Sequence, residues 1–191
     1  MELGTLILLA VGILAVLYFI YIYNGLVSLK HGVGKAWSDI EVMLKQRHDE
    51  LPKLVEVCKR YMKYEQETLE KVIQARSQVM QARADSDMGA LGKAETMLRA
   101  GLGNLFALAE NYPELKADRS FQHLESRVSQ LENAIADRRE VYNESVNLNN
   151  VRIEQFPDVI VARLFNFKPF DLLEFSEEEI RDVDVRSLFG G

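Results

Sequence analysis

The first feature of the chain is an uninterrupted apolar stretch that comes before all of the polar helices. Residues 3–29 read LGTLILLAVGILAVLYFIYIYNGLVSL and contain no charged side chain. A helix needs roughly 20 predominantly apolar residues to cross ~30 Å of hydrocarbon, so this stretch is long enough to span a membrane. We assign residues 1–25 as a transmembrane anchor.

The anchor lacks the marks of a cleaved secretory signal, which begins with basic residues and ends at a small-residue cleavage site. The chain instead begins Met1-Glu2, and Tyr18, Tyr21 and Tyr23 lie near the far end of the span. Tyrosines favour the boundary between membrane and water. These features favour an uncleaved anchor, and a long buried core helix is the alternative.

After the anchor, apolar positions recur at spacings of three and four, which is the pattern of one face of a helix. The four successive stripes, which include a few polar positions, are Leu26, Val33, Trp37, Ile40 and Leu44; Val55, Cys58, Met62, Glu65, Leu69, Val72, Arg76 and Val79; Ala94, Leu98, Leu102, Leu105, Ala109 and Tyr112; and Phe121, Leu124, Val128, Leu131, Ile135, Arg138, Tyr142, Ser145, Asn149, Arg152 and Phe156. Short connections make consecutive helices antiparallel neighbours. The pattern therefore predicts an all-α fold, with an antiparallel up-and-down four-helix bundle over residues 26–156 behind the transmembrane helix.

Prolines and capping residues predict where these helices begin and end. The first bundle helix should end near residue 48, because Pro52 disfavours a helical conformation in the residue before it and removes a backbone donor. A kinked, continuous helix is the alternative. Helix caps are expected at Ser86 or Asp87 and at Asp118 or Ser120.

Two segments follow the bundle. Residues 157–175 read PDVIVARLFNFKPFDLLEF, which is apolar but too charged to span a bilayer. We expect this segment to pack at the membrane-proximal end rather than lie on lipid, because only Arg163 and Lys168 offer the basic face that lipid surfaces favour. Residues 176–191 form an acidic tail, either solvated or available to a basic partner.

Charge indicates the orientation of the chain and excludes one class of partner. The chain has 23 Lys and Arg against 29 Asp and Glu, a net charge of −6, which does not favour binding to nucleic acid. Lys30 and Lys35 follow the span and no basic residue precedes it. Basic residues favour the cytoplasmic side, so we expect an inner-membrane protein with its N-terminus outside and its C-terminal domain in the cytoplasm.

No motif in the chain specifies an enzyme. None of His31, His48 and His123 stands three residues after a Glu, and no HExxH occurs, so we expect no metal site in the bundle. Cys58, the only cysteine, lies on an apolar stripe, and no G-x-S-x-G motif occurs. We therefore predict no catalytic residue and no cofactor.

Several polar residues interrupt the apolar stripes of the second and fourth helices. Up-and-down topology would bring four of them together just beneath the bilayer, with Asn24 from the entry to the first helix as a fifth member: Arg76, Arg138, Tyr142 and Asn149. One interpretation is a network at the edge of the core that fixes helix register or reaches water. The other is a polar pocket for a lipid headgroup, a small anion or a carboxylate, which arginine binds in bidentate geometry.

Several stretches of the chain resemble the LemA family of bacterial proteins. They read YNGLVSLKHGVGKAWSDIEVMLKQRHDELPKLVEVCKRY, ETLEKVIQAR, ENYPELKADRSFQHLE, ENAIADRREVYNESVN and FPDVIVARLFNF, and the resemblance covers Tyr23 to Phe175. It implies an antiparallel four-helix bundle behind one N-terminal membrane helix, and it supplies no enzymatic activity. The chain has Tyr64-Glu65 where the family often has His-Glu, which further weakens a metal site at Glu65.

These observations favour a non-enzymatic, single-pass membrane protein. Its lipid contact would be the N-terminal helix, and its helical bundle would act as a scaffold or interaction module for other membrane-associated proteins. The alternative is a regulatory or sensory accessory that binds a small ligand or lipid headgroup in the membrane-proximal polar pocket. A hydrolase with an unrecognised site is a third hypothesis.

Overall fold

The computed structural model describes residues 3–174, which form helices and connecting turns. The helices are α1 (Leu3–Tyr61), α2 (Gln66–Ala84), α3 (Met88–Ala109), α4 (Pro113–Ala117), α5 (Arg119–Glu154) and α6 (Asp158–Leu164). The described part of the chain contains no strand, so the prediction of an all-α fold is confirmed there. The acidic tail predicted at 176–191 lies outside the described residues.

The apolar N-terminal stretch continues without a break into the polar part of the chain. Together they form α1, a single helix of 59 residues, about 90 Å long at roughly 1.5 Å per residue. Among the described helices, α1 alone is long and apolar enough to cross a membrane, and none of its most apolar 18-residue window is buried inside the protein. This agrees with the predicted anchor.

The prediction that the first bundle helix ends near residue 48 is wrong, because α1 passes through Pro52 and ends at Tyr61. A proline inside a helix costs about 3 kcal/mol or more. The stripe continues beyond Leu44 through Leu51, Leu54 and Cys58, all of them fully buried. Burying a leucine side chain contributes about 1.5–3 kcal/mol, so two leucines offset the proline. The chain turns instead at residues 62–65, and α2 begins at Gln66.

Two of the predicted caps are confirmed. The Asp87 side chain accepts a hydrogen bond from the backbone N–H of Ala90 at 2.8 Å, which caps α3. The Asp118 side chain accepts from the N–H groups of Ser120 and Phe121 at 2.7 and 3.3 Å, at the start of α5. Both carboxylates satisfy donors that a helix start leaves unpaired.

The described chain divides into two compact units. The first comprises residues 3–40 and 138–172, and the second comprises 41–137 with 173–174. The core of the first unit is Ile22, Leu26, Ile153, Val161 and Ala162, with Phe19, Tyr23 and Phe167 packed against it. In the second unit α2 packs against α3, and its buried side chains include Leu44, Leu69, Val72, Leu98, Leu105 and Val128.

Beyond Ile135 the buried face of α5 follows the predicted stripe only in part, because Tyr142 and Asn149 are buried as the stripe predicts but other positions differ. Val146 and Ile153 are buried, whereas the predicted Phe156 is 82 % exposed and Ser145 is half-buried. A helical repeat of 3.6 allows a step of either three or four residues, so spacing alone leaves this choice open. In the structure Ile153 belongs to the same buried cluster as Val161 and Ala162 of α6.

Candidate membrane-proximal site

Aromatic side chains meet where the apolar segment of α1 ends. The ring of Phe165, just after α6, lies 4.7 Å from the ring of Tyr23 and 6.0 Å from that of Phe19. The ring of Phe167 lies 6.0 Å from that of Tyr23, edge to face. Such pairs contribute about 0.5–1.5 kcal/mol each beyond their burial. They hold the segment after α6 against the last turns of the apolar stretch of α1.

Helix α6 has one buried and one exposed apolar face. Val161 and Ala162 pack into the core of the first unit. Ile160 and Leu164 are 56 % and 67 % exposed, although both are large aliphatic residues. The two residues lie four positions apart, so they share one face of α6. This surface lies beside the apolar segment of α1, since Val161 and Ala162 of α6 share a buried cluster with Ile22 and Leu26.

Side chains of α5 hold the chain that follows α6. The amide of Asn150 donates to the carbonyl of Phe170 at 2.8 Å and accepts from the N–H of the same residue at 2.9 Å. The Tyr142 hydroxyl donates to the Asp171 carbonyl at 3.0 Å, and its ring contacts Trp37 at 5.7 Å. Burial, with a smaller contribution from Asp171, raises the pKa of Tyr142, so this hydroxyl stays protonated as a donor.

A groove of about 500 Å³ opens between α1 and the segment held by Asn150. Its lining residues are Tyr23, Val27, Lys30, His31 and Asn149, with residues 165–170. Its charged side chains are Lys30 and Lys168, and no acidic residue lines it within the described chain. Asn149 is buried and donates to the Asn150 side chain at 3.2 Å. The groove is therefore positively charged, with aromatic and amide groups in its walls.

The five residues predicted to form a polar pocket have different environments. Tyr142 and Asn149 are buried in the first unit, where Asn149 lines the groove. Asn24 and Arg138, of the same unit, are exposed. Arg76 belongs to the second unit. Their convergence into one pocket stays a prediction, whereas the groove adds Lys30 and Lys168, which that prediction did not include.

Arg76 contacts His48. Its Nε donates to the His48 backbone carbonyl at 3.0 Å, and its Nη2 lies 2.6 Å from Nε2 of the His48 ring. Burial first, and then the positive charge of Arg76, lowers the pKa of His48, so the ring is neutral at pH 7. Because Nε2 faces a guanidinium donor, we assign the ring proton to Nδ1. That nitrogen is buried and has no hydrogen-bond partner in the described chain.

Sequence reasoning missed a buried ion network in the second unit. Arg47 is 1 % exposed and donates to Glu95, itself 4 % exposed, and to Glu132. Burial lowers the pKa of Arg47, but the two carboxylates outweigh it and raise the pKa; burial raises the pKa of Glu95. Arg47 lies three residues after Leu44 and four before Leu51, so following the stripe through Pro52 would have found it.

The ion network has little room for a ligand. The adjacent cavity, lined by Arg47, Glu95 and Glu132 among others, measures about 10 Å³, which is enough for about one water molecule. Removing one member of a buried, paired set leaves an uncompensated charge, so such sets fix packing strongly. The arrangement suits a structural role. Among the described residues, no group of three or more His, Cys, Asp or Glu side chains is placed to hold a metal ion.

Comparisons with known proteins agree in pointing to one family. The sequence model of the LemA family matches residues 36–186. The chain is 27 % identical to Protein LemA of Metamycoplasma hominis, over 92 % of the chain and 80 % of the relative. It is 23 % identical to magnetosome protein MamQ of Magnetospirillum gryphiswaldense, over 94 % and 75 %, and to magnetosome protein MamQ 1 of Paramagnetospirillum magneticum, over 93 % and 75 %. The family match begins beyond the apolar stretch, so it reflects the polar helices.

Proposed function

Because the chain belongs to the LemA family, we propose that it is a non-enzymatic, single-pass membrane protein whose helical part acts as a scaffold or interaction module at the membrane surface. The observation that carries this proposal is the continuity of α1. One helix contains the apolar segment and also the buried residues Ile22, Leu26, Leu44 and Leu51. A helix without an internal linker would hold the polar helices close to the bilayer and restrict their orientation.

We propose that α1, α2, α3 and α5 form the antiparallel up-and-down bundle. Support comes from contacts in the second unit, where Arg47 of α1 bonds to Glu95 of α3 and Glu132 of α5. In addition, α2 packs on α3 and contacts α1 through Arg76 and His48. The connection between α2 and α3 comprises only residues 85–87, a length typical of antiparallel neighbours.

We further propose that the protein resides in the inner membrane with its N-terminus outside and its helices in the cytoplasm. Lys30 and Lys35 follow the apolar stretch, whereas Glu2 alone precedes it as a charged side chain. The excess of basic residues within a few turns of the span favours the cytoplasmic side.

A row of exposed apolar residues on α5 is the proposed contact for another membrane-associated protein. Val141, Leu148 and Val151 are exposed, and their spacings of seven and three place them on one helix face. Apolar residues grouped on an otherwise polar surface mark interaction sites. These residues precede Ile153, which packs with Ile22 of α1, so the row approaches the membrane end of α5.

Crosslinking in intact membranes, followed by recovery of the full-length protein, tests this function. We expect one defined partner with the unmodified chain and its loss with the Leu148→Gln/Val151→Gln variant. The matched control is Val42→Gln/Met97→Gln, which removes two exposed apolar side chains of the second unit and should keep the partner. A chain truncated before Pro157 shows whether the contact also needs the C-terminal segment. If no bait enriches any protein, the scaffold function is wrong.

The accessory function with a bound ligand has one observation in its favour. The groove lined by Lys30, Asn149 and Lys168 lies in the unit that contains the end of the apolar segment. A pocket with convergent polar groups is the usual form of a binding site. Such a role would add ligand binding to the scaffold.

A further inference from the structure

We propose that the groove between α1 and residues 165–170 binds the phosphate of an anionic phospholipid in the adjacent leaflet. The inference rests on the membrane anchoring proposed above, but not on the identity of any protein partner. It assigns a ligand class to Lys30, Lys168 and Asn149, and a lipid-facing role to the exposed side of α6.

The position of Lys30 along α1 matches the depth of lipid headgroups. Lys30 is the first charged residue after Glu2, and 27 positions separate it from Leu3. At roughly 1.5 Å per residue this is about 40 Å along the helix. A bilayer measures about 30 Å across its hydrocarbon and about 40–45 Å with its headgroups. If Leu3 lies where the hydrocarbon begins on one side of the bilayer, Lys30 therefore reaches the lipid phosphates on the other side.

The charge of the groove is opposite to that of the protein. The chain has a net charge of −6, yet the charged side chains of the groove are two lysines, with His31 beside Lys30. Lys168 lies 138 positions further along the chain and reaches the same groove because Asn150 fixes the backbone of Phe170. Both lysines are exposed, and two ammonium groups that line one groove attract an anion more strongly than either group does alone.

The neighbouring surfaces fit the rest of a lipid molecule. Helix α6 packs on Ile22 and Leu26, about 30 Å along α1 from Leu3, and so lies where hydrocarbon meets headgroups. Its exposed Ile160 and Leu164 would contact acyl chains there. Tyr23, which lines the groove and contacts the rings of Phe165 and Phe167, is the kind of residue enriched where hydrocarbon meets headgroups.

The groove is preformed, which favours specific binding over general attraction to a charged surface. Its outer wall is fixed at Phe170 by two hydrogen bonds, and Asn149 is 1 % exposed at its inner wall. A wall that is already ordered loses little entropy when a ligand binds. Exposed lysines elsewhere, such as Lys35 and Lys93, do not line the groove and serve as its control.

Native mass spectrometry of the full-length chain in detergent measures the binding. The probes are phosphatidylglycerol, phosphatidylcholine and inorganic phosphate, each added to lipid-depleted protein. We expect the unmodified chain to bind phosphatidylglycerol more tightly than phosphatidylcholine. Each lysine removed should weaken phosphatidylglycerol binding about fivefold, so Lys30→Gln/Lys168→Gln should lose about 25-fold. The control Lys35→Gln/Lys93→Gln should stay within about twofold of the unmodified chain.

Three outcomes would overturn the inference. The first is equal affinity for phosphatidylglycerol and phosphatidylcholine, and the second is an equal loss of phosphatidylglycerol affinity in both double lysine variants. The third is inorganic phosphate binding that depends on Lys30 and Lys168 in the same way, which would indicate a site for a free anion. Thermal unfolding of each variant checks that the fold is kept. Membrane anchoring is measured separately by resistance to alkaline extraction, and partner recovery by crosslinking, so failure of lipid binding is distinguishable from failure of the proposed function.

Discussion

Arg76 donates a hydrogen bond to the backbone carbonyl of His48, the carbonyl that Pro52 leaves without its helical partner. In a regular helix the N–H of residue 52 would bond to the carbonyl of residue 48, and proline has no N–H. The guanidinium of α2 supplies the missing donor at 3.0 Å. This contact explains how α1 continues through a proline, and it gives Arg76 a structural role.

A double-mutant cycle tests this relationship. Arg76→Met should lower the free energy of unfolding by about 1–3 kcal/mol, because it leaves a half-buried carbonyl unpaired. In a Pro52→Ala background the loss should be smaller by at least about 0.5 kcal/mol, since the new N–H bonds to the same carbonyl. Urea unfolding of the four proteins gives the coupling. Equal losses in both backgrounds would show that Arg76 acts without reference to Pro52.

The His48 ring should make stability depend on pH. Its pKa is lowered from the ordinary 6.5 by burial and by Arg76, with Arg83 adding to this and Asp49 opposing it. The unfolded chain therefore binds a proton at higher pH than the folded chain, and stability is lost as pH falls from about 6.5.

Melting temperatures at about pH 7.5 and pH 5.5 measure this effect. The unmodified chain should lose more stability between the two than His48→Gln does, and the difference isolates His48 from other titrating groups. The exposed His123, changed to Gln, is the control and should behave like the unmodified chain. If the melting temperature depends on pH in the same way in all three proteins, burial and Arg76 do not lower the pKa of His48.

Removing Arg47, the cation of the ion network, without removing its carboxylates should strongly destabilise the folded protein. Arg47→Met leaves Glu95 buried without a positive partner, which should cost about 3–5 kcal/mol. The variant Arg47→Met/Glu95→Leu/Glu132→Leu should recover most of that loss, since an apolar set of similar volume avoids the unpaired charge. Denaturant unfolding compares the two. If the single variant is as stable as the unmodified chain, the network does not fix the packing of the second unit.

The C-terminal segment should contribute to stability as well as to the groove. Truncation before Pro157 removes the buried Val161 and Ala162 and the hydrogen bonds that Asn150 and Tyr142 make to residues 170 and 171. The expected loss is roughly 3 kcal/mol or more, seen as a lower melting temperature in detergent. An unchanged melting temperature with weakened lipid binding would mean that the segment acts on lipid alone.

Apolar periodicity predicted the helices because their buried faces are regular, and local side-chain bonding predicted the caps at Asp87 and Asp118. The effect of Pro52 was predicted wrongly because tertiary contacts outweigh the local preference: Leu51 and Leu54 are buried, and Arg76 replaces the missing hydrogen-bond donor. The groove could not be predicted, since Lys30 and Lys168 carry no local signal that they face one cavity. Asn149 was recognised because a polar residue at a buried position stands out within a single stripe.

The central claim, a single-pass anchor with the helices inside the cell, is tested most directly by labelling with a membrane-impermeant maleimide. Burial raises the pKa of the Cys58 thiol to about 12, and Cys58→Ala removes it altogether. In that background Glu2→Cys marks the N-terminus and Lys93→Cys marks an exposed position on α3. In right-side-out vesicles we predict that Glu2→Cys labels at once and that Lys93→Cys labels only after permeabilisation. Immediate labelling of Lys93→Cys, with Glu2→Cys protected, would contradict the orientation; immediate labelling of both would contradict the membrane crossing.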